Sequence, residues 1–297
     1  MKMSPRVLVL RGGAIGDFIL TMPVLRMLRE AIPDCYLEVA GYPAIAALAK
    51  AAGLADVVRS LDHRTMAPLF AKNAPIDEEL AAHLRSFNLV VSFLYDPDGL
   101  LRASLDRIAV KSVIECSPRV QNDGEHASRQ LACGLEKIAM FLDDAHLLRA
   151  HFERVEGVSK RIAIHLGSGS EKKNWPVECW LRLAEVFPTH EVVFISGEAE
   201  EARGLRVSGS EHWHALPLTE LAMRLCGCVA FFGHDSGISH LAAACGVPSL
   251  LLFGPTTPAV WAPPQPWVEV LQAEGGDLGA LDFERVKMAA AQVVAKM

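Results

Sequence analysis

Short apolar runs recur along the chain, divided by polar turns and by longer amphipathic stretches. In the first half, Arg6–Leu10, Tyr36–Ala40, Val57–Leu61, Asn88–Leu94 and Ser112–Cys116 read as strands. In the second half, Ile162–Leu166, Glu191–Ser196, Val229–Phe232 and Ser249–Phe253 do the same. Several are apolar throughout rather than alternating, the pattern of parallel strands buried on both faces. Between them the spacing predicts helices at Phe18–Ala31, Ala44–Ala52, Asp77–Ser86, His126–Leu142, Val177–Val186, Glu220–Cys226, Ile238–Cys245 and Leu281–Met297. Strand and helix in alternation imply a doubly wound α/β architecture. The polar, glycine-containing segment Val155–Arg161 predicts a boundary, giving domains at 1–155 and 156–280 and a terminal amphipathic helix over 281–297. Pro255–Pro266 is proline-rich and reads as irregular.

Three turns carry the candidate chemistry. The most distinctive is Gly233-His234-Asp235-Ser236-Gly237, set between a strand and a helix that Gly246 and Pro248 close. Asp235 or Ser236 can cap that helix, and its free N–H groups then form a site for a phosphate. His240 follows Ser236 by four residues and shares its helix face. The second turn is Gly167-Ser168-Gly169-Ser170, followed by Lys172, Lys173 and Trp175-Pro176. Backbone N–H groups and hydroxyls at Ser168, Gly169 and Ser170 suit a diphosphate, and Lys173 adds a mobile positive charge. The bland reading of Lys173 is a solvated surface cation. The third turn, Arg11-Gly-Gly-Ala-Ile-Gly-Asp17, lacks the G-x-G-x-x-G spacing of a dinucleotide fingerprint. Asp17 alone reads as a helix cap.

Composition narrows the partners. The net charge is −6, and neither half is basic: residues 1–155 carry 18 Lys+Arg against 19 Asp+Glu, and 156–297 carry 11 against 16. Nucleic acid is therefore not an expected partner. Seven scattered cysteines form no CxxC pair, which points to a reducing compartment. His212-x-His214 is at most half a metal site, and no Asp-x-Asp motif stands ready to hold a divalent ion against phosphates. The expectation is no metal and no cofactor. No run approaches the roughly 18 apolar residues of a membrane span, so a cytoplasmic protein is the default expectation.

The stretch D-S-G-I-S-H-L-A-A-A-C-G-V-P with L-F-G-P-T closely resembles the C-terminal signature of glycosyltransferase family 9, the ADP-heptose:lipopolysaccharide heptosyltransferases and their relatives. The opening G-G-A-I-G-D-F-I-L-T-M-P-V-L-R-M-L-R resembles the family's first motif. So does the glycine/serine turn with a Lys before W-P. The resemblance implies a GT-B fold, two Rossmann-like domains facing each other across a cleft, with the nucleotide sugar on the C-terminal domain and the acceptor on the other. It implies that Asp17 is the catalytic base and that Lys173 assists the leaving diphosphate. It places Ser168, Gly169, Ser170, Asp235, Ser236, Gly237 and His240 around the nucleotide sugar. An acidic residue after the 191–196 strand, Glu198 in preference to Glu200, would meet the ribose, and Leu218 the adenine. Gly13, Arg59, Arg64, Arg102 and Arg107 are candidates for acceptor contacts, although the balanced charge of this half argues against a strongly anionic acceptor. The implied activity is inverting transfer of heptose from ADP-heptose to a glycan or glycolipid of the lipopolysaccharide type, with peripheral contact at the inner membrane surface. The alternatives are a non-catalytic nucleotide-binding relative and a dinucleotide-dependent oxidoreductase.

Overall fold

The computed structural model describes residues 4–122, 124–155, 160–197, 200–201, 203–204 and 211–296. The chain divides into two compact units, one of residues 1–121 and 127–146, the other of 122–126 and 147–297.

The first unit is a five-stranded parallel sheet. Its strands are β1 (Arg6–Arg11), β2 (Tyr36–Gly41), β3 (Val57–Ser60), β4 (Leu89–Ser92) and β5 (Val113–Glu115), in the order β3-β2-β1-β4-β5. Helices α1 (Ile15–Ala31), α2 (Pro43–Ala51), α3 (Glu78–Arg85) and α4 (Leu100–Arg107) connect them. β1 is central because its side chains are apolar in both directions, and Val7–Leu10 are all buried. α1 begins three residues earlier than its apolar pattern implies, since Ala14 and Asp17 complete a capping arrangement there. The long helix expected over 126–142 is not formed. A short helix, α5 (Ala127–Ala132), gives way to a 3-10 segment at Cys133–Ile138 that ends on Ala139 in the left-handed region, with φ of 58°. Gly134 accounts for the break: a Cβ there would stand 2.7 Å from the Glu115 carbonyl and 2.8 Å from Cys116 Sγ, so the backbone lies directly on the end of β5.

The second unit is a six-stranded parallel sheet built from β6 (Arg161–His165), β7 (Glu191–Ser196), β8 (Glu211–His214), β9 (Ala230–His234), β10 (Ser249–Phe253) and β11 (Val268–Gln272). Their order is β11-β10-β9-β6-β7-β8. Counted from β6, this is the 3-2-1-4-5-6 order of a complete Rossmann sheet. Helices α6 (Val177–Glu185), α7 (Leu218–Cys226), α8 (Gly237–Ala244) and α9 (Phe283–Ala295) belong to this unit, and a single helical turn at Pro258–Trp261 relieves the proline-rich stretch. Two features depart from the sequence expectation. Residues 147–155 belong to the second unit, because His151 and Phe152 N–H groups donate to the Ala244 carbonyl and Val155 N–H to that of Cys226. The domain changeover therefore falls before the polar segment at 155–161. The terminal helix α9, expected to cross back to the first domain, instead buries Val286, Ala289, Ala290 and Val293 in the second unit's own core, and Phe283 stacks on Trp175 at 6.0 Å. Among the described residues no helix is long and apolar enough to cross a membrane.

Candidate functional site

In an open parallel sheet, ligands bind beyond the carboxyl ends of the strands where the strand order reverses. In the second unit that point lies between β6 and β9, and both carry chemistry there. β6 ends on His165 and runs into the Gly167–Ser170 turn; β9 ends on His234 and runs into Asp235 and Ser236. Ser236 is the cap of α8: its hydroxyl accepts the Ser239 N–H at 3.3 Å. Asp235, the other candidate cap, does something else. Its Oδ2 accepts from Lys173 Nζ at 2.6 Å and from the Thr256 hydroxyl at 2.7 Å. Lys173 is thus no free surface cation. Its side chain is 29% exposed against 9% for Asp235, so the pair sits in a wall open on one side.

Beneath this pair lies a polar network that the sequence did not announce. His234 is fully buried. Its Nε2 accepts the Trp175 backbone N–H at 2.7 Å and the Trp180 indole N–H at 3.2 Å. Two donors on Nε2 place the proton on Nδ1, which faces the Gly167 carbonyl at 3.4 Å. Burial, with His165 nearby, pulls His234 down to about 3, so the ring is neutral at physiological pH. His165, also buried, is drawn down to about 4 by burial, against the opposing effect of Glu200. Its Nδ1 lies 3.2 Å from the Ser236 hydroxyl. One imidazole therefore joins the β6 turn, the Lys173 loop and α6.

The turn itself is shaped from below. A Cβ on Gly167 would fall 2.5 Å from Glu200 Oε1, so only glycine lets the chain pass. Glu200 is buried, and its Oε2 accepts the Gly197 N–H at 2.8 Å, leaving it a support for the turn. Glu198, the preferred ribose partner, lies outside the described residues. Ser168 is buried, donates to Asn174 Oδ1 at 2.7 Å and accepts the Ser170 N–H at 3.3 Å. Arg203 Nη1 donates to the Ser168 carbonyl at 2.9 Å. Gly169 is different: among the described residues nothing lies within 4 Å of where its Cβ would stand. Gly237 opens α8, and His240, one turn on, is buried with its N–H on the Ser236 carbonyl at 3.2 Å. Leu218 is the half-buried first residue of α7. His212 and His214 flank the Ser196 hydroxyl at 2.8 and 3.1 Å, and His214 pairs with Glu201. Among the described residues no cluster of His, Cys, Asp and Glu is arranged to hold a metal.

In the first unit the corresponding reversal lies between β1 and β4. β1 ends on Arg11 and enters the turn of Gly12 and Gly13. Gly13 has φ of 94°, where a side chain is strained, and a Cβ there would also crowd Asp17 Oδ2 at 3.1 Å. Asp17 lies in the first turn of α1. Its Oδ2 accepts the Ala14 N–H at 3.2 Å, while the side chain stays 41% exposed. Capping and exposure thus coexist in one carboxylate. The arginines proposed for an acceptor are differently placed. Arg59 Nε donates at 2.7 Å to Glu38, a carboxylate fully buried in β2 that also meets His83 Nε2 at 2.9 Å. Burial pushes Glu38 upward, but the bonds from Arg59 and His83 outweigh it and the net shift is down. Arg102 forms a pair with Asp106 on α4 at 3.0 Å, Arg107 donates to the Ala74 carbonyl, and Arg64 is exposed. A cavity of about 220 Å³ opens at the ends of β4 and β5, lined by Ser92, Tyr95, Asp96, Arg102, Glu115 and Cys116 among others.

The model of "Glycosyltransferase family 9 (heptosyltransferase)" matches residues 119–285, more than half of the chain. The chain belongs to glycosyltransferase family 9. It is similar to lipopolysaccharide heptosyltransferase 1 of Salmonella typhimurium, with 26% identity over 86% of this chain and 90% of that protein. A local match to lipopolysaccharide heptosyltransferase 1 of Pseudomonas aeruginosa has 38% identity but spans only 29% of this chain and 26% of that one. The fold is shared with the solved structure of the E. coli heptosyltransferase WaaC with ADP, at a TM-score of 0.71 and 18% identity over 97% of this chain and 99% of that one. The two parallel-sheet units are those of a GT-B glycosyltransferase. In this glycosyltransferase the residues that sequence reasoning missed are His165, His234, Asn174, Arg203 and Thr256. His234 and Thr256 both stand inside or beside the signature stretch, but histidine before the Asp and threonine after the Pro carry no physical signal until the strands are placed.

Proposed function

We propose that the protein is an inverting, metal-independent heptosyltransferase that uses ADP-heptose and transfers the sugar to a hydroxyl of a lipopolysaccharide-type glycan or glycolipid. The observation that carries this reading is the Lys173–Asp235–Thr256 constellation at the reversal of the second sheet, beside the capped start of α8. It offers one cation, a helix N-terminus and the open backbone at Gly169 to a diphosphate. The family membership and the heptosyltransferase relatives support the sugar, and the ADP bound by the E. coli heptosyltransferase WaaC supports the nucleotide.

In the proposed step the acceptor hydroxyl loses its proton to Asp17 as its oxygen bonds to the anomeric carbon. The bond from that carbon to the diphosphate oxygen breaks with its electron pair, and ADP departs from the opposite face. Charge growing on the diphosphate meets Lys173 and the amides of the 167–170 turn, which take the place a divalent ion fills elsewhere. Lys173 must exchange Asp235 for phosphate oxygen, and Thr256 stays behind to hold Asp235. The contacts with Ser168, Ser170, Ser236, Gly237 and His240, the ribose contact of Glu198, the adenine contact of Leu218 and the acceptor contacts of Gly13, Arg59, Arg64 and Arg102 belong to the same proposal, as does peripheral work at the inner membrane surface.

The test is transfer from ADP-heptose to truncated lipopolysaccharide acceptors, followed by mass spectrometry, with and without excess chelator. Product of the expected mass in both conditions supports the reading. Product that disappears with chelator and returns with Mg²⁺ refutes its metal-independent part, and activity only with another nucleotide sugar refutes the donor.

A further inference from the structure

Arg11 is the last residue of β1 and only 4% exposed. Burying a guanidinium is costly unless its surroundings repay it. Here burial pulls its pKa below the ordinary arginine value, and Asp17 works against that shift. Nη2 donates to the backbone carbonyl of Asp17 at 2.9 Å, and it lies 4.0 Å from Asp17 Oδ1. Nε is buried with no hydrogen-bond partner among the described residues, and the guanidinium carbon stands 5.7 Å from the centre of the Phe93 ring. An apolar residue would fill this place at lower desolvation cost, so a packing role alone does not explain an arginine here.

The contacts converge on one residue. The Asp17 carbonyl takes Arg11 from below and the Thr21 hydroxyl at 2.8 Å from within α1. Asp17 Oδ2 takes the Ala14 N–H. Oδ1 is the oxygen nearest to the guanidinium, and the distance of 4.0 Å is too long for a hydrogen bond but short for a charge. We propose that Arg11 is a positioning residue for Asp17: it fixes the first turn of α1 through the carbonyl and sets a permanent positive charge beneath the carboxylate, so that Oδ1 is aimed and left unbonded to take the acceptor's proton. This rests on Asp17 being the base of the proposed reaction. Small errors in the aim of a reacting group are expensive, so the role has a kinetic signature.

The test uses the full-length protein as Arg11→Met, Arg11→Lys, Asp17→Asn and the double variant Arg11→Met/Asp17→Asn. Turnover and KM are measured with ADP-heptose and a truncated lipopolysaccharide acceptor, and ADP affinity by calorimetry. Arg11→Met is expected to lower kcat about 10- to 100-fold, with ADP affinity within about twofold of wild type as the sign of an intact donor domain. Arg11→Lys keeps the charge but not the fork, and its kcat should fall between wild type and Arg11→Met. The double variant should be no slower than Asp17→Asn alone, because a positioning residue has nothing left to position. An Arg11→Met kcat within about twofold of wild type overturns the proposal. So does a double variant whose loss is the product of the two single losses, which marks Arg11 as a merely structural contributor. If Arg11→Met does not fold, Arg11→Lys decides: wild-type turnover overturns the proposal, and a loss that vanishes in the Asp17→Asn background supports it. Full turnover in Asp17→Asn refutes the base itself, whatever Arg11 does, so the two failures are told apart.

Discussion

The two sheets share one topology, and each places a glycine turn and a helix start at its point of reversal, yet the chemistry at the two points is opposite in kind. In the second unit the ion pair of Lys173 and Asp235 adjoins one neutral buried histidine, His234, whose polar atoms are matched to a tryptophan N–H, a backbone N–H and a carbonyl. In the first, Asp17 is 41% exposed and stands over a buried arginine with an unmatched nitrogen. A saturated network is rigid and suits the diphosphate-holding role proposed for this site. An exposed carboxylate whose Oδ1 accepts no hydrogen bond among the described residues suits the proton transfer proposed for it. In the reaction proposed above, binding and proton transfer are divided between two copies of a similar frame.

The strongest way to break this division is at Asp17. Asp17→Asn keeps the shape and the Ala14 contact but takes no proton; turnover is expected to drop ~10²–10⁴-fold with ADP affinity unchanged by calorimetry. A variant that transfers at nearly the wild-type rate reduces Asp17 to its capping role. Next in size is Lys173→Ala, for which a turnover loss of about 10²-fold is expected from the loss of one preorganised charge, with thermal unfolding little altered. Equal losses of stability and rate would mean that Lys173 serves the fold through Asp235 instead.

Acid tests the histidines. A histidine held at about 3 or 4 in the folded state binds fewer protons than its unfolded counterpart, whose pKa is the ordinary 6.5. The unfolded form is therefore favoured as the pH falls from 6.5 toward those values, by roughly 1.4 kcal/mol per pH unit for each histidine. All five tryptophans belong to the second unit, so their emission during denaturant titration reads that unit. His234→Gln should be less stable at pH 7 but lose less between pH 7 and pH 5 than the wild type. An unchanged slope would show that His234 is not the neutral acceptor described. The smallest effect is expected at His240, where truncation to Ala should weaken ADP by ~1 kcal/mol; calorimetry with no change would remove His240 from the nucleotide site.

The frame was legible in the sequence because buried parallel strands are apolar throughout: Val7–Leu10, Ile162–Ile164 and Leu250–Phe253 need no partner to be recognised. β8 and β11 escaped because they lie at the edges, and sequences such as Glu-His-Trp-His carry polar residues that a central strand cannot. α4 escaped because it is short and starts on Gly99, in the left-handed region with φ of 64°. Lys173 and Asp235 were legible as residues of a motif, but not as partners, since 62 positions separate them. His234 was invisible for a deeper reason. A buried histidine is marked by what surrounds it, and Trp175, Trp180 and Gly167 come from other parts of the chain. The terminal helix α9 misled because amphipathicity states that one face is covered, not by which domain.

Residues 147–155 have a consequence for dissecting the molecule. Arg154 donates to the carbonyls of Gly246 and Cys228 at 3.1 and 2.9 Å, closing the chain ends of α8 and α7, while the N–H groups of His151, Phe152 and Val155 serve Ala244 and Cys226. These nine residues act as a selvedge, an edge woven from the neighbouring cloth that keeps two helix ends from fraying. A gene cut at the polar segment after 155 would look clean on paper and leave five hydrogen bonds of the second unit on the wrong fragment; a cut ahead of Leu147 would carry them with it.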